Sequence, residues 1–208
     1  MSESAGDWIA DIWEACRALT PVAAHERLAE LTGQHRDAPT VWGAIAAFAP
    51  VMVDGGYFQL HPRPKSAARD RWYWILAVRR YPEIEVLGTR ERTLEAATIW
   101  AGEAICDLFA CDRALEKIVG RLTGQETAIG YPADGRLTAE PVRVHETPLA
   151  WLRAGPRGVL LAGTPSENAQ WLLTCETGIA ASSIRHAESL RTLMARPVPP
   201  MPRLLVAA

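Results

Sequence analysis

The chain has 208 residues, 49% hydrophobic and 22% charged, ordinary globular proportions that exclude wholesale disorder and fit one large domain or two small ones. A net charge of −2 excludes a uniformly basic nucleic-acid binder, and no apolar run reaches the roughly 18–20 residues of a membrane span. The acidic opening MSESAGDWIADIWEACR lacks the positive and apolar regions of a secretion signal, and Cys16, Cys106, Cys111 and Cys175 form no C-x-x-C pair. The expected compartment is therefore the cytoplasm.

Residues 1–50 read as helices. Trp8, Ile12, Ala15 and Leu19 recur at helical spacing, and 21–32 and 41–49 follow as shorter helices. Three Thr-Pro pairs, at Thr20, Thr147 and Thr164, place a hydroxyl at an N-cap and a proline at the first helical position. Glu167 completes a capping box with Thr164, and Gly33 and Gly155 stand where the first two of these helices stop.

The period changes after the turn Asp54-Gly55-Gly56. Residues 57–60 predict a short strand, and the aromatic run 71–80 (RWYWILAVRR) pairs with it as a central β-hairpin across an exposed polar loop. A strand is expected at 83–87. A long helix is expected from 92 to about 122, with Leu94, Ala97, Ala101, Ala104, Ile105 and Leu108 on one face and Asp112 capping a second piece.

The last eighty residues alternate. Strands are expected at 142–145, 159–162, 178–181 and 204–206, and helices at 149–154, 165–175 and 184–195, the last capped by Ser183. The run 159–162 is wholly apolar, as suits a buried parallel strand. The fold class is thus α+β: N-terminal helices, a central β-hairpin plus long helix, and a small C-terminal β-α-β-α-β unit. The division falls at 1–124 and 125–208, or the two parts form one continuous domain.

In order and spacing, VLLAGTPSENAQWLLTCETGIAASSIRHAESL, ending in PRLLVAA, resembles the strand-helix-strand-helix-strand core of the Toprim fold of primases and topoisomerases. That family carries a catalytic glutamate after the first strand and metal-binding aspartates after the third. Here Gly163-Thr164 occupies the first position, Glu167 comes one turn later, and residues 204–208 hold no aspartate. The resemblance implies a degenerate site, since Mg²⁺ needs two or three carboxylates.

The segment 61–92 carries eight basic and four acidic residues, the only stretch with a marked positive balance. Arg63, Lys65, Arg69, Arg71, Arg79 and Arg80 lie close in sequence to Trp72 and Trp74 and to Tyr57, Phe58, Tyr73 and Tyr81. Basic groups neutralise phosphates while aromatics stack on unpaired bases, so residues 57–81 suit single-stranded nucleic acid. They equally suit a protein partner, because Arg and Trp dominate interface hot spots. An amphipathic hairpin with aromatics inside explains the pattern without a ligand.

Other candidates are weaker. Glu83 and Glu85 share a strand face, as acid–base or metal-binding pairs do and as a solvated edge does. The five histidines show no ligand spacing. Ser183 and His186 read as a cap and a surface histidine, Thr164 to Glu167 as a cap rather than an anion site, and Cys106 and Cys111 diverge on one helix. Trp8 and Trp13 mark an acidic amphipathic helix suited to docking on a partner or a second copy. No catalytic residue, metal site or cofactor is assigned. The expected function is a non-catalytic binding or regulatory protein acting through a protein partner or nucleoprotein complex; the alternative is a Toprim-like nucleic-acid-processing fragment or degenerate homologue.

Overall fold

Helix α1 (Asp7–Leu19) buries Ile9, Trp13 and Cys16, one stripe at helical spacing, and leaves Trp8 44% exposed. The computed structural model describes residues 7–33, 45–79, 105–131, 141–155, 158–175 and 177–195. Trp13 is therefore core, and of the two expected docking tryptophans only Trp8 faces out. Helix α2 (Val22–Thr32) ends at Gly33, whose φ of 70° lets its N–H reach back to the last-turn carbonyls. Its start differs from expectation, because Thr20 does not cap it. The Thr20 hydroxyl instead donates to the Cys16 carbonyl at 2.9 Å and accepts the Phe48 N–H at 2.9 Å. The residue finishes α1 and fastens it to the next element.

That element is a strand, β1 (Ala46–Asp54), where a helix over 41–49 was expected; residues 41–44 lie outside the described residues. Its first half pairs with β3 (Trp72–Arg79) and its second half with β2 (Tyr57–Leu60). Pro50, which has no N–H to give, sits where the pairing changes hands. Gly55 and Gly56, at φ 56° and 83°, make the tight β1–β2 turn in the left-handed region such turns require. The central hairpin is corrected accordingly: β2 and β3 pair with opposite edges of β1, and the loop between them crosses from one to the other.

The long helix over 92–122 is also corrected. Residues 92–104 lie outside the described residues, but β4 (Ile105–Cys111) and β5 (Ile118–Arg121) are antiparallel strands. Asp112 caps no helix; its carboxylate accepts the Glu116 N–H at 2.8 Å inside the β4–β5 turn. Parallel contact at Tyr57 and Arg121 closes the sheet into a barrel of order β1-β2-β5-β4-β3.

Both faces of β1, β3 and β4 are covered. Ala47, Ala49, Ile75, Ala77 and Ala110 pack in one cluster with α1, the small alanines leaving room for Trp13. Alternate residues Trp74, Leu76 and Phe109 pack with Leu28 of α2 and with Ile129, Trp151 and Leu160 of the C-terminal unit. One core thus runs through residues on either side of position 124.

The C-terminal unit is a sheet of order β6-β8-β7-β9, comprising β6 (Ala128–Tyr131), β7 (Val142–His145), β8 (Gly158–Leu161) and β9 (Ile179–Ala181). The last three are parallel, while β6 runs antiparallel beside β8. Helix α3 (Pro148–Arg153) connects β7 to β8, α4 (Pro165–Leu173) connects β8 to β9, and α5 (Ile184–Met194) follows. The caps are as expected: Thr147 accepts from Ala150, Thr164 and Glu167 form the complete capping box, and Ser183 accepts from His186. Leu160 and Trp151 face the barrel side; Val144, Leu172 and Leu190 pack on the other. The strands expected at 83–87 and 204–206 lie outside the described residues. Among the described residues no helix is long and apolar enough to cross a membrane.

Candidate functional site

The loop between β2 and β3 is built from two single-turn 3₁₀ segments, Pro64–Ser66 and Arg69–Arg71. Its backbone is pinned at several points. The His61 N–H donates to the Pro50 carbonyl at 3.0 Å, the Ser66 N–H to the Arg63 carbonyl at 3.1 Å, and the Arg71 N–H to the Ala68 carbonyl at 3.0 Å. The Arg63 N–H donates to His61 Nδ1 at 3.2 Å. The loop is thus held by its main chain, and the cationic side chains are not needed to hold it.

Arg63, Lys65, Arg69 and Arg71 are all exposed, and among the described residues none forms a salt bridge. Asp70 is the only acidic residue between them. Arg63, Pro64, Lys65 and Ser66 line a shallow cleft of about 380 Å³. The structure therefore brings four of the six candidate cations onto one short surface loop.

The aromatic candidates are elsewhere. Trp74 is 2% exposed, sits 4.8 Å from the Phe48 ring, and donates its Nε1–H to the Arg113 carbonyl at 3.3 Å. Trp72 is half-buried at 5.5 Å from the same ring. Phe58 is core, while exposed Tyr57 stands at the β1–β2 turn with its ring close against Gly124. Arg79 lies seven residues along β3 from Trp72, roughly 23 Å for an extended strand. Arg80, Tyr81, Glu83 and Glu85 lie outside the described residues.

The remaining candidates resolve simply. Cys106 and Cys111 lie on strand β4, not on a helix, and none of the four cysteines is in a disulfide. Burial pushes the Cys16 thiol up to about 12 and that of Cys111 well above its usual value, so neither is a nucleophile at neutral pH. Among the described residues no group of His, Cys, Asp or Glu is placed to hold a metal ion.

Several polar groups escaped the sequence reading. Asp107 is fully buried, and its carboxylate accepts backbone N–H groups from Leu108, Thr123 and Glu126 at 2.8, 2.9 and 3.4 Å. Arg121, 7% exposed, donates to the Gly124 and Glu126 carbonyls and reaches Glu167 of α4 at 3.2 Å. The Thr164 backbone N–H, aided by its hydroxyl and by Arg121, holds the Glu167 carboxyl below its ordinary value. His186 is 5% exposed, not a surface residue, and its side-chain partner is Ser182 rather than Ser183. A serine four residues before a histidine at a helix start was the available signal.

No protein-family model matches the chain, and no curated protein or solved structure matches it either.

Proposed function

We propose that the chain is a binding or regulatory protein that docks through its β2–β3 loop onto an acidic surface of a protein partner, alone or within a nucleoprotein complex. One observation carries this reading. Among the described residues four exposed cations form no salt bridge and crowd one short loop, while Trp74 beside it is buried and Trp72 is half-buried against Phe48. A single-strand binder needs rings free to stack on bases. With Trp74 buried and Trp72 packed on Phe48, the described loop offers more free charge than free ring surface, which favours a protein partner over single-stranded nucleic acid.

A pull-down from native lysate tests this, with nuclease-treated and untreated arms and with a variant carrying Arg63→Glu, Lys65→Glu, Arg69→Glu and Arg71→Glu. The reading requires a partner retained after nuclease and lost in the variant. Capture that disappears on nuclease treatment, or persists in the variant, contradicts it. A degenerate Toprim-like origin is a second reading, supported by the strand-helix-strand-helix order of 158–194. In that reading no metal chemistry survives, since Glu167 is engaged by Thr164 and Arg121.

A further inference from the structure

The second sheet has a topological switch point. From β7 the chain crosses to β8 on one side and then back past β7 to β9 on the other, so the carboxyl ends of β7 and β9 adjoin where the connections part. Open α/β sheets bind ligands at such crevices because the two outgoing connections leave a gap between them. Here a crevice of about 520 Å³ lies between the carboxyl end of β7 and helix α5, within the size range of small-molecule sites.

His186 forms part of its wall and is 5% exposed. The Ser182 backbone N–H points at His186 Nδ1 at 3.3 Å, and Ser182 Oγ lies 2.9 Å from the same nitrogen. A backbone N–H only donates, so Nδ1 is the bare nitrogen and Nε2 carries the proton. Nε2 has no hydrogen-bond partner among the described residues. A buried donor left unpaired is costly, and in a crevice wall it calls for an acceptor from outside the chain.

The charges around it define that acceptor's molecule. Arg185, next to His186, is exposed and without a salt bridge among the described residues, as are Glu146 at the end of β7 and Glu188 one turn along α5. Leu161 and Leu193 supply an apolar wall. We propose that this crevice binds a small aliphatic amino acid. Its carboxylate meets Arg185 and the His186 Nε2–H, its ammonium meets Glu146 and Glu188, and its side chain lies on the leucines. Two carboxylates in the lining disfavour a phosphate or simple anion, and a plain amine would leave Arg185 and His186 unmet.

Isothermal titration of the full chain tests this with L-leucine, L-valine and L-methionine, beside 4-methylvalerate, which lacks the ammonium, and 3-methylbutylamine, which lacks the carboxylate. At least one amino acid should bind saturably, with both analogues weaker by about tenfold or more, the loss of one charge-assisted contact. Arg185→Gln and Glu146→Gln, both on exposed side chains, should weaken binding to a similar extent without moving the melting temperature. His186→Asn should do the same where it folds. No saturable binding by any of the three amino acids overturns the proposal. So does an analogue that binds as well as its parent, or an unaffected Arg185→Gln variant. The basic loop is not involved, so its charge-reversal variant should bind the amino acid unchanged.

Discussion

Thr164 and Glu167 satisfy each other's neighbouring backbone groups at the start of α4, and Arg121 adds a contact from the barrel. Thr164→Ala should cost about 1 kcal/mol in urea melts, the usual loss for an N-cap. Glu167's carboxyl is held below its ordinary value of 4.5, chiefly by the Thr164 N–H. A group whose pKa is lowered on folding stabilises the protein above its unfolded value and loses that contribution as pH falls through the folded one. The stability difference between the parent and Glu167→Gln should therefore be full at neutral pH and shrink below about 4.5. A difference that grows on acidification would reverse the assignment. Deeper in the same unit, Leu160→Ala should cost about 2–5 kcal/mol as a core cavity, because Leu160 is 3% exposed between the two sheets. Values within about 0.5 kcal/mol of the parent would place it at the surface.

Elements with local punctuation were legible. The three C-terminal helices were read from Thr147-Pro148, Thr164-Pro165 and Ser183, and the β1–β2 turn from Gly55-Gly56, because caps and turns are set by nearby residues. Strands β1 and β4 were not legible, for a physical reason. Both faces of each are buried, one against α1 and the other against α2 and the second sheet, so neither shows alternation. A doubly buried strand reads as a continuous apolar run, and alanines at 46, 47, 49 and 110 tilt such a run toward helix. Those same alanines make the packing testable. Ala47→Leu and Ala110→Leu should each destabilise by about 1–3 kcal/mol through overpacking against α1, with circular dichroism melts as the measure. In an exposed helix both changes would be close to silent.

At the scale of the molecule, the charge of the site was legible and its shape was not. The excess of basic residues over 61–92 pointed to the loop on which four cations lie exposed, yet adjacency in sequence suggested that its cations and aromatics worked together. Strand geometry separates them: Trp74 lies in the shared core, Trp72 is half-buried against Phe48, and Arg79 is carried to the far end of β3. What remains among the described residues is a patch of four exposed cations beside a buried Trp74 and a half-buried Trp72. Its decisive property is therefore electrostatic, and the direct measurement is fluorescence anisotropy of a labelled oligoglutamate peptide and a labelled oligothymidylate across rising salt. Binding to oligoglutamate should be the tighter of the two. It should weaken steadily between about 50 and 200 mM salt, as screening requires, and vanish when Arg63, Lys65, Arg69 and Arg71 are all changed to Glu. Tighter binding of oligothymidylate, or oligoglutamate affinity that survives the four reversals, would contradict the account.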